Sequence, residues 1–325
     1  MVSRRKKKPR IEIYGLDRSP FAQRLTQQKF AHLIRIPLSE LKGLIKYKSA
    51  FVTQKERQSG GKTRPVCYPT GRLRLVNEKI TYQLRKVRLP KYVMSPRRGI
   101  GQKQNAEFHA SGRQILKLDL KQFYPSISRT MVARFFRDRL FMHPDVAGLL
   151  TELLTYEDRV FYGAPSTPVL AVLTHQELFD AINRACVEHG TEMSLWVDNF
   201  IISGDEVPGA LLNEIRNIIA KHGHRSHDIR FEHTNRKVSI TGIDVRDGVL
   251  HPPNKSNIAI RNLERELHIT KDPDQYEMVA NKLLSRLGGQ IHILGSSSER
   301  GRKIAQRMNT IRQKRDRVRR SIRSQ

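Results

Sequence analysis

Two aspartates end strand-like apolar runs: Asp119 in Leu116-Lys117-Leu118-Asp119-Leu120, and Asp198 in Ser194-Leu195-Trp196-Val197-Asp198-Asn199. Taken alone, each reads as a turn former or a helix cap, and Asp198-Asn199 between two β-type runs also suits a two-residue hairpin turn. Taken together they suit a different task. Nucleotidyl transfer needs two divalent cations held close to each other, which requires carboxylates projected from rigid elements into one cleft. A strand-end Asp and a hairpin-tip Asp, well separated along the chain, meet that requirement.

The elements that must position these residues follow from the spacing of apolar positions. Residues 20–48 carry helical spacing (Phe21, Leu25, Phe30, Leu33, Ile34, then Leu38, Leu41, Leu44, Ile45) and predict two helices. Ser59-Gly60-Gly61-Lys62-Thr63 reads as a hairpin turn, followed by a strand and a basic helix over 73–87. Around the two aspartates, the pattern predicts a helix over 129–139, one long helix over 168–189, a helix over 209–222, and strands over 229–231 and 238–245. Gly163 permits close backbone approach, and Ser166, Thr167 and Pro168 offer an N-cap with a proline in the first turn. From residue 256 the chain turns helical and increasingly basic. The fold class is α+β.

The chain has 325 residues, with 60 Lys and Arg against 31 Asp and Glu, a net charge of +29. A field of that sign favours a polyanionic partner. A ribosomal or chromatin-type binder would share the charge, but this length is enough for one elaborate domain or two to three subdomains with real cores. No run of 18 apolar residues is present and the N-terminus, Arg4-Arg5-Lys6-Lys7-Lys8-Pro9-Arg10, lacks a signal peptide pattern. Cys67 and Cys186 are far apart without metal-ligand spacing and read as ordinary reduced residues. A cytoplasmic protein with no membrane partner is therefore expected. His222, His224 and His227 read as a polar loop rather than a metal cluster. Residues 300–325 hold eleven Lys and Arg against one acid, Asp316. They read as a helical surface for duplex or structured RNA, or as a disordered basic tail.

Several of these segments carry a resemblance. Asp119 with Phe123-Tyr124-Pro125-Ser126-Ile127 resembles polymerase motif A of bacterial reverse transcriptases, and Trp196-Val197-Asp198-Asn199 resembles their motif C. Between them, Tyr162-Gly163-Ala164-Pro165-Ser166-Thr167-Pro168 is similar to motif B. Upstream, Asn105-Ala106-Glu107-Phe108-His109 matches the Asn-Ala-x-x-His element of retron enzymes and their relatives, and Ile240-Thr241-Gly242 approximates their Val-Thr-Gly triplet. The order along the chain is the family's order.

The resemblance to retron-like, defence-associated reverse transcriptases implies a right-hand polymerase fold with an antiparallel palm sheet backed by helices. Its divisions would be a basic N-terminal segment (1–19), fingers (20–114), palm (115–250) and thumb (251–325) ending in the basic helix or tail. It implies an RNA-directed DNA polymerase acting on a structured noncoding RNA in antiphage defence. Asp119 and Asp198 would ligate two Mg²⁺ ions, with Mn²⁺ as a substitute, and Asn199 would complete the catalytic set. Lys62 and Arg64 would grip the incoming dNTP. Tyr124 would exclude its 2′-hydroxyl, and Gly163 and Ala164 would lie beside it. Asn105, His109, Arg312, Lys314, Arg315, Arg319 and Arg320 would contact RNA template or DNA product. An effector protein or a second reverse transcriptase is the expected protein partner.

Three departures bear on that reading. Asn199 stands where the family has a second Asp, which removes a negative charge while keeping a carbonyl oxygen able to coordinate. An active enzyme with altered metal affinity and an inactive RNA-binding scaffold are the two alternatives. Tyr162 replaces the usual motif B Gln, which leaves room for a polymerase of repetitive or untemplated DNA. Where relatives carry a Lys that protonates pyrophosphate, this chain has His227 and Asp228.

Overall fold

The computed structural model describes residues 12–59 and 62–323. The expected basic segment 1–19 therefore lies largely outside the described residues. Helices α1 (Gln27–Ile34) and α2 (Leu38–Lys46) form as their spacing predicts, and Phe30, Ile34, Leu41 and Leu44 are buried. Strands β1 (Val52–Ser59) and β2 (Lys62–Pro69) pair antiparallel with Ser59 opposite Lys62, which fits the expected hairpin; Gly60 and Gly61 are outside the described residues. Helix α3 (Gly71–Leu84) follows. After β3 (Val93–Ser95) and helix α4 (Gln102–Phe108) comes β4 (Gln114–Leu120), the strand that carries Asp119.

A left-handed residue, Gln122 (φ 52°), then turns the chain into a single helical turn, α5 (Phe123–Ser126). Tyr124 is thus set by a turn of helix. Helix α6 (Arg129–Arg134) runs on as a π-helical turn, Phe135–Arg139, and α7 (Pro144–Leu154) packs beside it. A short hairpin, β5 (Thr155–Tyr156) with β6 (Arg159–Val160), leads to the next helices. The single helix expected over 168–189 is two, α8 (Thr167–Thr174) and α9 (Gln176–Glu188). The break falls at His175, whose ring packs edge-on against Phe123 at 4.8 Å while its Nδ1 lies 3.0 Å from Ala171 O. No Gly or Pro marks the site, so tertiary packing makes the break.

Strands β7 (Glu192–Trp196) and β8 (Asn199–Gly204) form the next hairpin, and α10 (Gly209–Lys221) leads to β9 (Ser226–His233). The five-stranded sheet has the order β3-β7-β8-β4-β9. Its pairs are antiparallel except β3 with β7, so the sheet is mixed at one edge where an antiparallel one was expected. Alternation gives it two faces. Leu116, Leu118, Leu120, Met193, Leu195, Phe200 and Ile202 point into the main core with Phe179, Ile182, Leu211 and Ile215 of α9 and α10. The other face carries Ile115, Lys117, Asp119, Ser194, Trp196, Asn199, Ile201 and Ser203.

The lower half of that second face is covered. The strand expected over 238–245 is a hairpin, β10 (Val238–Ile240) and β11 (Ile243–Arg246), continued by β12 (Val249–His251). Thr241 (φ 47°) and Gly242 (φ 87°) form its two-residue turn, both in the left-handed region as a type I′ turn requires. Val238, Ile240, Ile243 and Val245 close over Ile115, Ile201 and Ala106 of α4 as a second core. The C-terminal helices α11 (Asn254–Ile269), α12 (Pro273–Leu294) and α13 (Glu299–Arg323) enclose a third, built on Ile260, Leu283, Leu287, Met308 and Ile311. Residues 300–323 are thus helix, not tail. Among the described residues no helix is long and apolar enough to cross a membrane.

Candidate active site

The uncovered upper half of the second sheet face is where the predicted catalytic residues meet. Asp119 and Asn199 are directly opposite in the β4–β8 register, so their side chains share a face. The last pair of the β7–β8 hairpin is Trp196 with Asn199, which makes Val197-Asp198 the two-residue turn rather than Asp198-Asn199. Val197 has φ 65°, an unfavourable conformation for a β-branched residue. The turn is tied to its neighbours by Leu120 N–H donating to Asp198 O (3.3 Å) and Val197 N–H donating to Ser95 O (3.4 Å). Asn199 Nδ2 donates to Asp198 Oδ1 at 3.0 Å. Asn199 therefore stands beside both carboxylates without adding a charge. His227 is opposite Asp119 across β4–β9, on the exposed edge strand.

Beside this acidic corner lies a cavity of about 460 Å³ lined by Arg57, Val66, Tyr124, Tyr162, Gly163, Ala164, Thr167 and Pro168. It unites the β1–β2 hairpin, α5 and the loop entering α8. Cys67 N–H donates to Tyr162 O (3.2 Å), which seats β2 against that loop. Gly163 has φ 127°, and a Cβ there would meet Val66 Cγ1 at 3.1 Å, so the position needs glycine on two counts. Burial, followed by the charge of Asp198, raises the Tyr124 hydroxyl above its usual range. Tyr124 is thus close enough to feel the acidic corner, and its ring lies 5.9 Å from that of Tyr162.

Other expectations need correction. Asn105 and His109 are fully buried, so they lie out of reach of nucleic acid. His109 Nδ1 is 2.7 Å from Ser203 Oγ and Nε2 is 2.7 Å from Ser194 Oγ; burial pushes its pKa down to about 3. His224 is buried against Phe123 and His175 rather than placed in a polar loop. Ser166 sits at the start of α8, but its hydroxyl donates to Asn77 Oδ1 (2.9 Å) and accepts no capping bond from a helix N–H. Lys62 and Arg64 lie on β2, Arg64 opposite Arg57, but their side chains are outside the described residues. On α13, Arg312, Lys314, Arg319 and Arg320 are exposed, while Arg315 is partly buried and bonds Asn281 Oδ1 at 2.7 Å.

Sequence reasoning missed Arg57 and Asn77. Arg57 stands in a polar strand with no local mark. Asn77 had a signal: with Thr81 it is a polar residue inside the apolar stripe Leu73, Val76, Ile80, Leu84 of α3. Its amide donates to Leu153 O (2.9 Å) and Leu73 O (3.1 Å), and with its bond to Ser166 it pins the motif B loop.

Among the described residues no three His, Cys, Asp or Glu side chains gather as a ready-made cage. The donor set at the sheet end is two carboxylates and an amide oxygen. That set fits Mg²⁺, a hard cation commonly bound by one or two carboxylates together with water and substrate phosphates.

Fold and site define a class, an α+β chain with one acid on a strand end and a second in the adjoining hairpin turn beside a nucleotide-sized cavity, and the sequence places it nearer. The chain is retron-like in sequence: it is 27% identical over 228 residues to Retron Se72 reverse transcriptase of Salmonella heidelberg (strain 579083-10). That match covers 66% of this chain and 59% of the relative. No family model matches the chain. Among solved structures, telomerase from Candida albicans in complex with a TWJ fragment of telomeric RNA superposes with a TM-score of 0.46 at 9% identity, over 80% of this chain and 59% of that one.

Proposed function

We propose that this chain is an RNA-directed DNA polymerase that copies a structured noncoding RNA. The observation that carries this is the register of Asp119 with Asn199, which brings motif A and the motif C turn to one sheet end beside the cavity of Tyr124 and Gly163. In this reading the N-terminal lobe (20–114) is the fingers, the sheet region (115–250) the palm and the terminal helices (251–325) the thumb. Asp119 and Asp198 would hold Mg²⁺, or Mn²⁺ in its place. When bound, the metal lowers the pKa of the primer 3′-hydroxyl and neutralises charge on the triphosphate.

The rest is done by this chain's own residues. Asp119 on the end of β4 and Asp198 in the β7–β8 turn would present their carboxylates to what they hold from one end of the sheet. The Tyr124 ring forms a wall of the cavity and would exclude a 2′-hydroxyl. Gly163 and Ala164 leave room for the base and sugar, and Arg57, Lys62 and Arg64 of the β1–β2 hairpin would grip the triphosphate. His227, opposite Asp119 across β4–β9, would be the residue of this chain to protonate the leaving pyrophosphate if a side chain does so. The exposed cations of α13 would hold RNA template and DNA product. A cytoplasmic role in antiphage defence, with an effector protein or a second reverse transcriptase as partner, accords with the retron-like sequence.

Replacing Asp119 or Asp198 by Ala should abolish DNA synthesis while RNA affinity stays within about twofold. Substantial synthesis by either variant would refute the metal assignment. Asn199 favours a second reading, an inactive RNA-binding scaffold, because its amide occupies the place of a carboxylate and is engaged with Asp198.

A further inference from the structure

Helix α4 lies against the covered half of the second sheet face, and Asn105 within it and His109 at its C-cap are 0% exposed. One imidazole, that of His109, spans both strands of the hairpin whose turn carries Asp198, lying 2.7 Å from Ser194 on β7 and 2.7 Å from Ser203 on β8. Ser194 is opposite Ile201, two residues before Ser203, so the two hydroxyls share a face with Trp196 and Asn199. At the other end of the motif, Asn105 Nδ2 is 3.5 Å from Thr241 Oγ1, which donates to Gln102 O at 3.4 Å. Thr241 is the first residue of the β10–β11 turn.

The Thr241 turn that α4 touches and the turn closing the hairpin that His109 bridges are strained in the same way. Val197 (φ 65°) and Thr241 (φ 47°) are β-branched residues in the left-handed region. Such conformations persist only where the surroundings over-determine them. The backbone bonds at the Val197-Asp198 turn are long, 3.3 and 3.4 Å, whereas the side-chain bonds of His109 to Ser194 and Ser203 are 2.7 Å. Short side-chain bonds thus hold this hairpin from beneath, alongside a short backbone bond on β7 from Leu195 N–H to Tyr92 O at 2.8 Å.

We propose that α4 is a clasp that fixes the catalytic hairpin. His109, through Ser194 and Ser203, sets where the Asp198 turn lies, and Asn105 ties α4 to the β10–β11 turn. These are positioning residues: they govern turnover and not RNA affinity. The catalytic half of this inference rests on the polymerase reading; the positional half does not.

Trp196 is the chain's single tryptophan, two residues from Asp198 and on the face the clasp holds. Its fluorescence reports the hairpin with no need for activity. The test compares wild type with Ser194→Ala, Ser203→Ala, their double variant and Thr241→Ala. It measures acrylamide quenching of Trp196, kcat and dNTP KM on a defined hairpin RNA with annealed DNA primer, and Kd for the same RNA. In the serine variants the clasp predicts at least doubled quenching, kcat reduced at least tenfold, and KM and Kd within twofold of wild type. Where the double variant does not fold, the single variants decide. Unchanged quenching in both single serine variants overturns the clasp, as does an RNA Kd that weakens in step with kcat. A wild type that makes no DNA would sink the polymerase reading, and the quenching result would still decide the clasp.

Discussion

At the scale of residues, the site differs from a symmetric acidic pair by one amide. Asn199 donates to Asp198 Oδ1 and faces Asp119 across the strand pair, so the corner is built for two negative charges. Asn199→Asp replaces that hydrogen bond with repulsion of roughly 1 to 4 kcal/mol at ~4 Å, depending on screening. Synthesis at low Mg²⁺ should fall and recover as Mg²⁺ is raised; an unmoved midpoint in a Mg²⁺ titration would count against a site tuned to lower charge. Tyr124→Ala should widen the cavity at the sugar and lower dNTP over rNTP preference at least tenfold, read from competing primer extensions. An unchanged preference would place the gate on another residue, with Tyr162 the next wall of the cavity. Asp119, Asp198, Tyr124 and Gly163 were legible in the sequence because motif order brings them together. Asn105 and His109 were legible as a motif but not as buried residues: polar side chains inside a core give no local sign of whether they meet solvent or a serine across a hairpin.

At the scale of elements, periodicity placed helices and strands but not the interruptions that aim them. The break between α8 and α9 falls at His175 and the turn between β10 and β11 at Thr241-Gly242. Only the second has a glycine to mark it. Buried histidines at such junctions carry a stability signature. Burial pushes the pKa of His109 and of His175 down to about 3, with the nearby His224 adding to the effect at His175. The folded state therefore keeps both neutral, whereas the unfolded chain takes up protons below about 6.5. Stability is fully present above pH 6.5 and is lost as pH falls toward 3, at about 1.4 kcal/mol per pH unit for each histidine. Urea midpoints measured at pH 7 and pH 5 should differ accordingly, in a window above the carboxylate titrations. A flat stability over that interval would mean that one or both rings are solvated and charged.

At the scale of the whole molecule, three cores among the described residues divide the work. One backs the sheet, one seals the lower half of its second face, and one builds the C-terminal helices that present a basic surface. The charge of +29 announced a polyanionic partner, and the sequence also located its densest part in 300–325. What it left open was helix or tail. Met308 and Ile311 on α13 decide for helix by packing into the third core, so truncation would expose that core. Replacing the exposed Arg312, Lys314, Arg319 and Arg320 by Gln is the cleaner change. For every phosphate that is then no longer neutralised, the salt slope of duplex binding should fall by about 0.9, measured as log K against log salt. A slope equal to wild type would show α13 to be a bystander.

The central claim is that Asp119 and Asp198 form one working site despite Asn199. Its most direct measurement is primer extension on the RNA that copurifies with the full chain, titrated with Mg²⁺ and separately with Mn²⁺, for wild type and Asp198→Ala. The account predicts metal-dependent DNA synthesis by wild type that is absent from Asp198→Ala at every metal concentration. Silence of wild type with both metals, its own RNA and its partner present would contradict it and leave the scaffold.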